Sequence, residues 1–247
     1  MREELLPYFE ERETPIDMVV LHCSAYNVET IIKWMHEYQI SAHYIIDEQG
    51  NITKLVNESK RAYHAGAGFW RGKERSPNSR SIGIELVNFS LGQNAYAPAQ
   101  IEKLIFFLKK LINKYQISPE MIVGHSDITP LRKADPGKAF PWKQLAKAGI
   151  GLWYQPRNAE KMHTSDIKNL LATIGYDTRT PEAVNASAYA FCRHFAPQFV
   201  HTDTDILHLV DHILPDNFDF MNTPEFLKIL KATAYSYTTA AKQTKIF

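Results

Sequence analysis

Ile16-Asp17-Met18-Val19-Val20-Leu21-His22 is a short, valine-rich apolar run that ends on a histidine. Its length and composition read as a buried strand. Just downstream, Ile31, Ile32, Met35 and Tyr38 have the spacing of one helix face. Residues 43–47 and 52–56 flank Glu48-Gln49-Gly50-Asn51, which reads as a hairpin. Residues 81–88 and 121–124 read as two more strands. Between them Ile101, Leu104, Ile105, Leu108, Leu111 and Ile112 share a helix face. Strands and helices therefore alternate, which predicts a layered α/β domain ending near Ile150.

Composition changes at Gly149-Ile150-Gly151-Leu152-Trp153-Tyr154-Gln155-Pro156, where glycine and proline punctuate a domain boundary. Only helices are legible beyond it. Ile167, Leu170, Leu171 and Ile174 form one apolar face, stopped by Gly175. Thr180-Pro181 supplies an N-cap and first helical residue for a second helix carrying Val184, Ala188 and Phe191. Ile206, Leu209, Val210 and Ile213 predict a third, and a last helix is expected from Thr223-Pro224-Glu225. The expected division is 1–152, a small helical bundle over 160–214, and a helical tail over 215–247.

The chain has 247 residues, of which 45% are apolar, enough for a sizeable core. A net charge of +1 gives no support for nucleic acid as a partner. Cys23 and Cys192 lie far apart and suggest neither a disulfide framework nor a thiolate metal site. No stretch is long and apolar enough to span a membrane. Met1-Arg2-Glu3-Glu4-Leu5-Leu6-Pro7 lacks the apolar core of a secretion signal. The expected compartment is the cytoplasm, or the cell envelope if a leader has been removed.

Three segments carry the chemistry: Val20-Leu21-His22-Cys23-Ser24-Ala25, Val123-Gly124-His125-Ser126-Asp127 and Arg132-Lys133-Ala134-Asp135-Pro136-Gly137. His22 and His125 each end a predicted strand, and Asp135 follows in a Pro/Gly loop. Two imidazoles and a carboxylate are a catalytic zinc ligand set with a fourth position open for water. Such an ion brings the pKa of water toward ~7. In a chain with ten histidines this trio carries little weight alone, and the surrounding text decides.

The blocks VLHCSA, SAHYIID, RAYHAG, SIGIELVN, VGHSDITPLRKADPG and FPW, in that order over about residues 16–150, resemble the N-acetylmuramoyl-L-alanine amidases of the AmpD/AmiD type. The resemblance implies the fold of peptidoglycan recognition proteins and phage T7-type lysozymes: a mixed β-sheet flanked by helices. It is nearest to the AmiD branch, which adds a small C-terminal helical, peptidoglycan-binding-like bundle. It implies Zn²⁺ held by His22, His125 and Asp135, with Glu85 as general acid and base and Lys133 stabilising the oxyanion. Glu85 stands between Ile84 and Leu86, where an acidic residue otherwise breaks a buried strand. His64 and Asn88 are expected to contact the muramyl sugar or stem peptide, and His43 to be structural. Ala42 stands where relatives often carry tyrosine, which puts the acid–base work on Glu85. Trp70 and Trp142 read as sugar platforms or core residues. Cys23 is expected to turn away from the metal by strand alternation.

The implied partner is peptidoglycan or its muropeptides, intact or anhydro. A catalytically inactive recognition module is the alternative, but such modules commonly lose the aspartate that is present here as Asp135. An unrelated zinc peptidase is disfavoured because no HExxH occurs.

Overall fold

A computed structural model describes residues 1–72, 76–201 and 213–243. The strands are β1 (Arg2–Glu3), β2 (Phe9–Glu11), β3 (Met18–Ser24), β4 (Tyr44–Ile46), β5 (Ile52–Lys54), β6 (Lys60–Ala62), β7 (Ser81–Val87) and β8 (Ile122–Gly124). The α-helices are α1 (Val28–Tyr38), α2 (Pro98–Tyr115), α3 (His125–Ile128), α4 (Trp142–Lys147), α5 (Ile167–Ile174), α6 (Pro181–Phe195) and α7 (Pro224–Gln243). Six strands form a mixed sheet in the order β1-β5-β4-β7-β3-β8, and β2 pairs with β6 in a separate ribbon. Only the β4–β5 hairpin is antiparallel within the large sheet.

β3 is the middle of the parallel part, and Val19, Val20 and Leu21 are fully buried. A strand covered on both faces reads as a continuous apolar run, which explains its sequence. Each such side chain contributes about 1.5–3 kcal/mol on burial, so the position of His22 is firmly set. Tyr44 and Ile46 face the layer under α2, where Tyr44 meets Phe107 edge-on at 4.7 Å. Ile45 points the other way, onto Ile31, Ile32 and Met35 of α1. Buried Gln100 donates to the carbonyls of Ile46 and Val87, tying α2 to two strand ends. In the hairpin, the Asp47 carboxylate accepts from the backbone of Gln49 and Asn51, and Gly50 takes φ +79° where a Cβ would meet the Ala99 carbonyl at 2.8 Å.

Tyr38 departs from the expected face. It is 62% exposed and packs edge-on against Trp34. The buried stripe of α1 is carried by Ile31, Ile32 and Met35 alone.

The C-terminal helices pack on the sheet domain in one continuous apolar cluster. Trp70 is buried, donates to the Glu120 carbonyl at 3.0 Å, and meets Tyr176 edge-on at 5.0 Å. Trp142 stacks on His194 at 3.8 Å. Both tryptophans are therefore interior residues. Asp127, 1% exposed, accepts from Gly124 N (2.7 Å), Tyr176 Oη (2.6 Å) and His194 Nδ1 (2.8 Å). A buried carboxylate needs such donors, and here they join α6 to the start of α3. Thr180 caps α6 through Ala183 N, as the Thr-Pro pair predicts. The helix expected around Ile206, Leu209 and Val210 lies outside the described residues. Among the described residues, no helix is long and apolar enough to cross a membrane.

Candidate active site

The site forms at the carboxyl ends of the parallel strands, where an open α/β sheet leaves room for a ligand. His22 on β3 is the register partner of Glu85 on β7, and Ile45 on β4 follows beside Glu85. Side chains in register on adjacent strands share a face, so His22 and Glu85 rise together on the α1 side. His125 opens α3 directly after β8. Asp135 comes from the following loop, where Ser126 N donates to the Asp135 carbonyl at 2.9 Å and the Asp135–Pro136 peptide is cis.

His22 Nδ1 lies 3.0 Å from His125 Nδ1 and 3.2 Å from Asp135 Oδ2, and His125 Nδ1 lies 3.1 Å from the same oxygen. All three atoms fit within 4.8 Å of one another. Ligand atoms about 2.0–2.1 Å from a zinc-sized ion lie about 3.3 Å apart at the corners of a tetrahedron. The triangle is close to that size. Its chemistry also fits: His125 Nε2 faces the Ala65 carbonyl at 3.3 Å, so the proton sits on Nε2 and Nδ1 offers a lone pair. Lone pairs converging on one point repel unless a cation joins them.

Burial, then the neighbouring His125, lowers the His22 pKa to about 4, so the ring is neutral and able to ligate. Burial alone would raise the Asp135 pKa; protons held toward it by His125 and His22, a part that a bound cation takes over, keep it well below the usual carboxylate range. Glu85 moves oppositely. Burial, then the charge of Asp135, pushes it up to about 8, against the Ser24 hydroxyl donating at 3.0 Å and the charge of Lys133. A carboxyl poised near neutrality can both take and give a proton.

These groups line a cleft of about 290 Å³, with Lys133 and Arg132 on one wall and Tyr26, Trp34, Tyr38 and Ile40 on another. Residues 12–138 match the sequence profile of the family described as N-acetylmuramoyl-L-alanine amidase. The AmiD amidase of Escherichia coli K12 is 35% identical over 217 residues, covering 77% of this chain and 78% of AmiD. This chain belongs to the N-acetylmuramoyl-L-alanine amidases. Amidase folds follow it closely. The E. coli AmiD structure, solved with the substrate anhydro-N-acetylmuramic acid-L-Ala-D-γ-Glu-L-Lys, has a TM-score of 0.72 at 31% identity, covering 92% of this chain and 93% of AmiD. AmpDh3 of Pseudomonas aeruginosa, solved with an anhydromuramic pentapeptide, has a TM-score of 0.74 at 28% identity, covering 94% of each chain.

Of the residues singled out in the amidase sequence, His22, His125, Asp135, Glu85, Lys133 and His64 all line the cleft. Asn88, expected to contact the muramyl sugar or stem peptide, is not among the residues lining the cleft. It is 6% exposed, and its Oδ1 accepts from Ser90 N, Ser90 Oγ and Gly92 N while its amide donates to the Asn94 carbonyl. Every polar atom of Asn88 is spent on shaping the turn after β7. His64 stands behind His22, its Nδ1 3.0 Å from His22 Nε2. The aromatic wall on α1 was missed in the sequence. Its signal was Trp34 and Tyr38 at i, i+4 with Tyr26 just before the helix; that Tyr38 leaves the apolar stripe is visible only in the structure.

Proposed function

We propose that the protein is a zinc-dependent amidase. It hydrolyses the amide between N-acetylmuramic, or anhydro-N-acetylmuramic, acid and L-alanine of the peptidoglycan stem peptide, in wall degradation, remodelling or recycling. The observation that carries this is the convergence of His22 Nδ1, His125 Nδ1 and Asp135 Oδ2, with Glu85 and Lys133 in the same cleft. The three ligands would hold the ion, which when bound supplies Lewis acidity toward water and the scissile carbonyl. Glu85 takes a proton from the attacking water and returns it to the leaving nitrogen. Lys133 offsets negative charge developing on the carbonyl oxygen. The muropeptides bound by AmiD and AmpDh3 support the substrate class. Residues 160–214 complete this reading as a peptidoglycan-binding-like helical unit, followed by a helical tail over 215–247.

Purified muropeptides incubated with the protein are expected to release free stem peptide with an N-terminal L-alanine, read by mass spectrometry. A chelator should abolish release and added Zn²⁺ restore it. Release that survives complete metal removal would overturn zinc dependence. No release from metal-loaded protein would favour an inactive recognition module.

The glycan is assigned to the aromatic wall. Tyr26 and Trp34 stand 4.4 Å apart and are 38% and 37% exposed, so flat apolar faces are open to the cleft. Trp34→Ala is expected to raise KM about tenfold, the loss typical of one aromatic anchor, with kcat nearly unchanged. Steady-state kinetics on a defined muropeptide check this, and an unchanged KM would remove the glycan from that wall.

A further inference from the structure

We infer that the Tyr63-His64-Ala65 turn is the outer support of the metal site, with His64 and the Ala65 carbonyl fixing the tautomers and ring orientations of His22 and His125. The inference rests on the metal-centre reading above.

The direction of each hydrogen bond follows from two backbone carbonyls, which can only accept. Ala65 O lies 3.3 Å from His125 Nε2, which fixes that ring's proton and leaves Nδ1 bare. Pro77 O lies 2.7 Å from Ser81 Oγ and takes the only proton of that hydroxyl. Ser81 Oγ must then accept from His64 Nε2, 3.1 Å away. His64 Nδ1 is therefore bare and accepts from His22 Nε2 at 3.0 Å. His22 Nδ1 is left bare in turn, aimed at His125 Nδ1 and Asp135 Oδ2. Two chains of bonds, each ending on a carbonyl, present both lone pairs to one point.

The turn is itself anchored. Buried Asn78 accepts through Oδ1 from His64 N at 3.2 Å and Ala65 N at 2.8 Å. The His64 ring rests on Gly83, where a Cβ would fall 2.4 Å from its Cγ. His43 Nδ1 accepts from Gly83 N at 3.0 Å and holds that floor in place. The sequence thus spends a glycine, two histidines, an asparagine and a serine on orienting its ligands. His64 is a positioning residue. Outer-shell acceptors of this kind commonly govern metal affinity by 10–100-fold.

The test measures Zn²⁺ affinity by chelator competition, and the visible spectrum of the Co²⁺-loaded protein, for wild type and variants. His64→Phe is expected to bind Zn²⁺ about 10–100-fold more weakly and to shift the Co²⁺ bands. His64→Gln, with one acceptor and one donor, should recover most of the affinity. Thermal unfolding of the metal-free proteins reports general destabilisation separately. If His64→Phe does not fold, Ser81→Ala carries the test, with a several-fold weaker Zn²⁺ affinity expected. A lowered Tm with unchanged Zn²⁺ affinity and Co²⁺ spectrum would overturn the inference. So would a raised KM with unchanged metal affinity, which would make His64 a substrate contact. Wild type that binds neither ion would sink the metal-centre reading itself, whereas wild-type binding with unaffected variants sinks this inference alone.

Discussion

Asp135→Ala protein is expected to lose its bound metal and on the order of 10³-fold or more of its amidase turnover while staying folded. Lewis-acid activation contributes several kcal/mol to the transition state, and each 1.36 kcal/mol is about tenfold in rate. With the carboxylate gone, two neutral imidazoles remain, and no anionic ligand offsets the charge of the ion. The fold should survive, because the tie from Ser126 N goes to the Asp135 main-chain carbonyl rather than its side chain. Metal content by elemental analysis, turnover on a muropeptide and circular dichroism together check the outcome. Full metal occupancy with retained turnover would remove Asp135 from the ligand set.

Glu85→Gln is the complementary experiment. The variant should keep its metal, because Glu85 lies outside the ligand triangle, yet lose about 10²–10⁴-fold in kcat with KM little changed. The amide keeps the shape of the carboxyl and loses only the ability to carry a proton. The pH profile supplies the sign. Glu85 acts first as a base, so activity rises with pH as its carboxyl ionises. Without the ion, burial and Asp135 hold its pKa at about 8. A cation beside it favours the charged form and moves the rising limb to lower pH. The limb should therefore fall below 8 in the metal-loaded enzyme and vanish in Glu85→Gln. A variant that keeps the same limb would assign it to another group.

The two experiments separate holding the ion from moving the proton. The first predicts an empty, folded protein, and the second a loaded but slow one. Lys133 stands apart from both. It is exposed at the cleft, and its charge reaches His22 and Glu85 without a direct bond.

Much of the fold was legible because local physics writes it locally. The valine-rich run of β3, the Asp47 hairpin and the Thr180-Pro181 helix start each carry their own cause within a few residues. His22, His125 and Asp135 were legible as candidates because each closes a readable strand or loop motif. Tyr38 was misplaced because helical spacing gives a face but not what covers it. The residue type of Asn88 serves equally for sugar contacts and for turns, and its three acceptor bonds engage it in the turn.

The sequence by itself determined the types of the longer elements, the chemistry of the candidate His-His-Asp trio and the presence of an acidic residue in a buried strand. Tertiary structure alone decided register, convergence and protonation. Glu85 stands beside His22 because β7 pairs in parallel with β3 at that register, and one residue of slip would turn it to the other face. The triangle closes only when β3, α3 and the loop after it meet, across 103 residues of chain between His22 and His125. The direction of the His64 relay depends on two carbonyls whose partners no spacing rule announces. Side-chain chemistry is written one residue at a time, but distances below a few ångströms between remote residues exist only after the core has packed.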